Sequence, residues 1–209
     1  ALKEYLLNNG IATRIIYRPV PHIYHSYPCE EDIYALFRNG ALLTECKASS
    51  VIELDNPIPF KGRRRLTVAM KSRLHIKEQK DYTAFWEILG DRLKSRYGTS
   101  PVHTLEEIEL LHERFPDNIR LFTVNDNDGN ILGGTVLYVT DRVVHMQYSG
   151  TTEEGRRTSA LDHLYEYLIK DLFAGKRFFD FGISVEDGGR YLNSGLIAYK
   201  ERLGGRTVT

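Results

Sequence analysis

The strand-like stretch 142–149 (RVVHMQYS) carries a histidine and a glutamine where a central strand ordinarily carries apolar residues. Strict alternation sends Val143, His145, Gln147 and Ser149 to one face and Val144, Met146 and Tyr148 to the other. Polar side chains on such a face are expensive to bury without partners. An imidazole exchanges protons near neutral pH, so His145 is the candidate general base, with Gln147 beside it as a substrate-facing group. The competing reading is a core histidine satisfied by Gln147 or by a backbone carbonyl. Lys200 is the second candidate. It lies four residues after Leu196, at the edge of a stripe formed by Leu192, Leu196, Tyr199 and Leu203. From there it can reach a phosphate or a developing negative charge as a point cation, or simply snorkel to solvent. Asp180 is the third. It shares a strand face with Phe178 and Gly182, and it can either orient a catalytic partner or accept from nearby backbone N–H groups such as that of Ser184. Ser184, Asn193 and Tyr199 are candidate pocket-lining groups.

These side chains depend on a regular series of elements. Helix-like segments cover 1–10 and 30–39, and a short strand is expected at 12–18. An extended segment at 42–54 ends at the Pro-rich DNPIPFKG (55–62), the best boundary in the chain. Beyond it, 63–73 suits a basic helix and 75–79 a brief strand. Helix 81–97 carries Tyr82, Phe85, Trp86, Leu89 and Leu93 at helical spacing. Thr104-Leu-Glu-Glu107 reads as a capping box opening the next helix. Strands follow at 119–125, 130–139 and 142–149, the first two joined at Asn127-Asp128-Gly129. Helix 158–174, strand 177–183, helix 189–203 and a strand from Arg206 complete the order. Hairpin links make the three middle strands antiparallel, and the crossover from 142 to 183 requires a parallel pair. The result is an α+β fold with a mixed, mostly antiparallel sheet and helices on both faces.

Composition narrows the field. The 209 residues hold 28 Lys+Arg against 28 Asp+Glu, so no global charge excess points to wholesale nucleic-acid binding. Locally, Lys61-Gly-Arg-Arg-Arg65 with Lys71 and Arg73 could meet phosphates, as in an RNA-binding domain, but a solvated helix face is the simpler reading, since no aromatic side chain interleaves with the run. Cys29 and Cys46 give neither a disulfide framework nor zinc spacing, which suits a reducing cytoplasm. His22, His25 and Cys29 make an incomplete metal set in a proline-punctuated loop, so no metal is expected. No apolar run is long enough to span a membrane, and no signal peptide is visible. The sequence opens without a methionine inside an amphipathic segment, as a piece of a longer protein would.

The element order, with PVPHIYHSYPCEEDIYALFRNGA (19–41), SPVHTLEEIELLHERFP (100–116), VVHMQYSGTT (143–152) and FFDFGISVEDGGRYLNSGLIAYKERLGGR (178–206), resembles the FemAB-like branch of the GNAT superfamily. That branch includes bacterial peptidyltransferases adding amino acids to peptidoglycan precursors. Its DFGG-type strand end, aromatic-Lys pair and final Phe-Gly-Gly correspond here to Asp180-Phe181-Gly182-Ile183, Tyr199-Lys200 and Leu203-Gly204-Gly205, with Ile183 and Leu203 departing from the pattern.

The resemblance implies two GNAT-like domains in one chain. Residues 1–55 would be the end of the first, 56–61 a linker and 62–209 the second. It also implies transfer from acetyl-CoA or another acyl-CoA, or from aminoacyl-tRNA, to an amine on a cell-envelope precursor or small molecule. Lys200 matches the lysine of the branch's transfer site, and Asp180 falls on a strand paired with 142–149. The donor's pyrophosphate would lie after Tyr148, on the loop Ser149 to Ser159. There Gly150 and Gly155 allow close approach, Arg156 and Arg157 supply charge, and Thr158 or Ser159 can cap the helix. Thr158 replaces the glycine expected in mid-motif, and Glu153 and Glu154 would repel a phosphate. The alternative is a non-catalytic GNAT-fold module that binds a ligand or partner. The oligomeric state stays open.

Overall fold

The computed structural model describes residues 2–57 and 73–209, so the basic run from Lys61 to Lys71 and nearly all of the helix expected over 63–73 lie outside the described residues. The chain divides into two compact units, Ala1–Leu43 and Thr44–Thr209. In the first, α1 (Leu2–Asn8) and α2 (Glu31–Arg38) flank a single 3-10 turn, His22–Tyr24. The strand expected at 12–18 is absent. Tyr17 instead donates to Asp32 Oδ2 at 2.7 Å, while His25 Nε2 lies 2.9 Å from the Val20 carbonyl and Cys29 donates to Glu31.

The second unit is built on a seven-stranded sheet. Its strands are β1 (Ser49–Glu53), β2 (His75–Gln79), β3 (Ile119–Asn125), β4 (Ile131–Val139), β5 (Val143–Thr151), β6 (Phe178–Ile183) and a last strand, Arg206–Val208. The spatial order is β2-β3-β4-β5-β6-β1 and then Arg206–Val208. Every pairing is antiparallel except β5 with β6, where the crossover forces parallel strands. The extended stretch expected at 42–54 is shorter and differently placed. Residues 49–53 form no tail outside the sheet, because β1 is inserted between β6 and the last strand. This unit therefore starts before the Pro-rich segment.

Helices cover both faces. On one side α3 (Thr83–Tyr97) and α4 (Leu105–Arg114) bury Tyr82, Phe85, Trp86, Leu89 and Ile108 against Ile119, Leu121, Val136 and Tyr148. The Thr104–Glu107 capping box opens α4 as expected, with both reciprocal hydrogen bonds present. On the other side Ala160, Leu164, Tyr165 and Leu168 pack on Phe122, Leu137, Val144, Phe179 and Phe181. The alternation of Leu121 with Phe122 and of Val136 with Leu137 between the two cores is the period of two made physical.

Two expected helices differ at their starts. The helix read over 158–174 runs as α6 (Ala160–Tyr167) continued by a π turn over Leu168–Leu172, and a short helix that was not expected, α5 (Glu153–Arg157), precedes it. Ser159, left-handed at φ 57°, separates α5 from α6. The helix read from 189 begins only as α7 (Ser194–Arg202). Asp187, Gly188 and Gly189 all have positive φ, which no α-helix tolerates, and they turn a small hairpin of β7 (Val185–Glu186) and β8 (Tyr191–Leu192). The final strand, Arg206–Val208, is β9.

Candidate active site

The sheet forks in its middle. β5 and β6 pair only at Val143–Phe178, Val144–Phe179 and His145–Asp180. Past that rung β5 runs on to Thr151 against β4, while β6 runs on to Ile183 against β1. Each strand carries a bulge just beyond the fork. In β5, Gln147 has no partner between the pairs Leu137–Met146 and Val136–Tyr148. In β6, Phe181 and Gly182 together oppose Ser50. Gly182 adopts φ +72°, a left-handed conformation suited to glycine at a bulge.

The β5 bulge corrects the expected alternation. Met146 packs in the α6-side core and Tyr148 in the α3-side core. Ser149 bonds the Tyr165 hydroxyl at 2.5 Å, on the α6 side. Inserting Gln147 shifts the phase by one residue, so Ser149 joins Met146, and Tyr148 joins the opposite face. The Tyr148 hydroxyl is held there by His103 Nδ1 at 2.6 Å.

At the fork, His145 Nδ1 lies 2.8 Å from Asp180 Oδ2. Asp180 Oδ1 accepts from the Ser49 hydroxyl at 2.5 Å and from the Gly182 N–H at 2.8 Å. Burial pushes the Asp180 carboxyl up. The His145 hydrogen bond and charge, with those from Ser49 and Gly182, outweigh it and hold the group at about 2. A carboxylate that stays ionised makes Nδ1 the protonated nitrogen and leaves Nε2 as the acceptor. The His145 side chain is 26% exposed, so that acceptor can meet a ligand. Asp180 thus meets His145 and accepts the backbone N–H of Gly182, whereas the Ser184 N–H expected there donates to the Ala48 carbonyl.

Lys200 does not snorkel. It is 2% exposed, and its Nζ donates to the Gly182 carbonyl at 2.8 Å and the Ile183 carbonyl at 2.7 Å. Burial pulls its pKa down and the Asp180 charge raises it in part, leaving it at about 8. A neutral amine still has two N–H groups for the two carbonyls. Beside this tie, Ser184 is 1% exposed with its hydroxyl lacking a hydrogen-bond partner among the described residues. The Asn193 side chain is engaged locally. Its Oδ1 caps α7 at Leu196 N–H and its Nδ2 donates to Glu186. Tyr199 packs against the α6-side core, with the Arg202 guanidinium over its ring.

The loop after β5 differs in detail from expectation. Thr152, not Thr158 or Ser159, caps α5, accepting from the Gly155 N–H at 3.0 Å. The Thr158 hydroxyl turns back to the Glu154 carbonyl, and Ser159 makes no cap bond. A Cβ on Gly155 would stand 2.1 Å from the Leu132 carbonyl oxygen, so this glycine serves close packing on β4. Gly150 lies against Leu89 of α3. Arg156 and Arg157 form exposed ion pairs with Glu153 and Glu154 of the same turn.

Sequence reasoning missed Ser49. It lies in an unremarkable KASSVIE stretch, and only the insertion of β1 beside β6 brings it to Asp180. Among the described residues no group of three His, Cys, Asp or Glu side chains could hold a metal ion. Among them, too, no helix is long and apolar enough to cross a membrane.

The profile of the acetyltransferase (GNAT) domain matches residues 61–201, well over half of the chain. The chain belongs to the GNAT acetyltransferase family. Its fold is that of FemX, at TM-score 0.66 and 13% identity over 85% of this chain and 66% of that one. It is also that of L-PGS from Bacillus licheniformis, at TM-score 0.62 and 13% identity over 85% and 62%. A conserved protein of unknown function from Bacteroides thetaiotaomicron matches at TM-score 0.54 and 13% identity over 85% and 64%. The chain thus spans about two thirds or less of these structures. No curated protein sequence matches it. The resemblance to FemAB-like GNAT proteins therefore stands at the level of family and fold, and Ser49 lies outside the residues that the family profile covers.

Proposed function

We propose that this GNAT chain is an N-acyltransferase in which His145 is the general base. The observation that carries the reading is the His145–Asp180 pair, placed on the last rung before β5 and β6 part. An amine must lose a proton as it attacks an acyl carbonyl, and a fixed imidazole with a free Nε2 is built to take it. Asp180 sets the tautomer and stabilises the imidazolium that forms. Lys200 acts through the Gly182–Ile183 turn that it ties, keeping the end of β6 bent away from β5. Gln147, pushed out by its bulge, and Ser184, with an unpartnered hydroxyl, are the groups we assign to the acceptor, while Tyr199 supports α7.

The acyl donor would lie along the edge of β5 that β6 leaves without a ladder partner, from Tyr148 and Ser149 to Gly150. Arg156 and Arg157 would exchange their exposed and weak ion pairs for the donor's phosphates. Acyl-CoA is the donor class that follows from the family. The fold likeness to FemX favours aminoacyl-tRNA as the second choice, with an amine of a bacterial cell-envelope precursor as acceptor and the cytoplasm as the place of reaction. Residues 1–43 are read as the C-terminal part of a preceding GNAT-like domain.

One observation favours a non-catalytic ligand-binding module: the donor loop is already neutralised by its own glutamates. Calorimetry with acetyl-CoA and with charged tRNA, followed by transfer to a panel of amines, tests both readings. Donor binding that persists in His145→Gln while turnover vanishes supports the enzyme. Absence of binding to either donor would sink it.

A further inference from the structure

The Asp180 carboxylate has a second side-chain partner whose origin is unusual. Ser49 reaches it from β1, a strand that precedes the segment matched by the family profile and lies 131 residues away in sequence. Its backbone is fixed on both edges, opposite Ile183 in β6 and Val208 in β9. The register of β1 therefore does not need the hydroxyl. What the hydroxyl adds is directional. With Ser49 and the Gly182 N–H both donating to Oδ1, the carboxylate plane is held and Oδ2 is left aimed at Nδ1 of His145.

We propose that Ser49 is a positioning residue that completes a Ser49–Asp180–His145 hydrogen-bond relay, fixing His145 in the Nδ1–H tautomer with Nε2 open to the acceptor amine. This rests on the reading of His145 as the base of an acyl transfer. No covalent step is involved, and Ser49 touches neither donor nor acceptor. The charged and titratable groups around the relay are Asp180 on β6, Tyr138 across from His145 on β4, and Lys200 of α7 behind the Gly182 carbonyl.

The test is the ring-nitrogen NMR spectrum of the whole chain, with the His145 signals assigned by their loss in His145→Gln. In the wild type, His145 shows the Nδ1–H tautomer. In Ser49→Ala the ratio of Nε2–H to Nδ1–H rises about five- to tenfold, the size expected for one lost charge-assisted hydrogen bond, and kcat for amine acylation falls with the Nδ1–H fraction while KM stays within about twofold. Ser49→Thr restores both. Ser49→Cys keeps the volume but donates weakly, and it gives the same change in smaller measure, which guards against a folding defect in the alanine variant. Wild-type tautomer ratios in Ser49→Ala and Ser49→Cys overturn the proposal. The spectrum needs no acyl donor. A wild type that transfers no acyl group would overturn the acyltransferase reading, while the tautomer ratio would still decide the relay.

Discussion

His145 and Asp180 face each other across the last rung of the parallel pair, with Nδ1 and Oδ2 2.8 Å apart. One residue further on there is no ladder between their strands. The contact sits where the sheet opens, which is where a reacting amine can approach a group that the sheet still holds rigid.

Asp180→Asn keeps the shape of that contact and removes its charge. The amide can donate to Nδ1, which moves the imidazole proton to Nε2 and blocks the base. We expect kcat for amine acylation to fall by about 100-fold or more, with His145→Gln at least as impaired. Initial rates with saturating donor check this, and a loss of under threefold in either variant would exclude the pair from catalysis.

Acid should weaken the fold through the same carboxylate. The folded-state pKa of about 2 lies below the ordinary 3.8, so the stabilisation is fully present above pH 4 and disappears as pH falls towards 2. Its size is about 2 kcal/mol. Urea midpoints between pH 5 and pH 2 should drop more steeply in the wild type than in Asp180→Asn.

Lys200 gives a slope of the same sign at alkaline pH. Its folded-state pKa of about 8 lies below 10.5, so between those values the unfolded chain holds a proton that the folded chain has released. Stability therefore rises with pH across that window, by about 3 kcal/mol for this group. Lys200→Met should flatten the rise, as seen in urea midpoints at pH 7.5 and pH 10.

Gly155→Ala separates packing from phosphate binding. The new methyl would collide with the Leu132 carbonyl, so we expect a loss of at least about 2 kcal/mol before any ligand is added. Thermal unfolding of the unliganded protein reads it out. An unchanged Tm would mean that α5 shifts freely on β4.

Much of this was legible in the sequence because it is local. Apolar spacing located α3, the Thr104 capping box marked α4, and Asn127-Asp128-Gly129 announced the β3–β4 hairpin. His145, Asp180 and Lys200 stood out as polar groups within apolar patterns, and the fold brings the first two into contact and ties the third to the turn beside them. What was not legible is non-local or depends on one residue's backbone. The Gln147 bulge reassigns Tyr148 and Ser149 between faces, yet nothing in VVHMQYS marks it. The positive φ at Ser159 sets an extra short helix apart from the one expected over 158–174, and the positive φ values at Asp187 to Gly189 delay the start of the next. Asn193 looked like a pocket residue because capping and binding draw on the same amide. The insertion of β1 depends on partners far down the chain, and so Ser49 went unseen.

That insertion also sets an order of events during synthesis. β1 emerges well before β6 and β9, the strands it pairs with far along the chain. Contacts so distant in sequence close late, after the β2–β5 meander has had every opportunity to form. A ribosome-bound chain can thus display a nearly finished sheet while Asp180 still lacks its serine and the edge of β6 stands open. The Ser49–Asp180 contact can therefore form only after β6 has emerged, later than every strand of the β2–β5 meander.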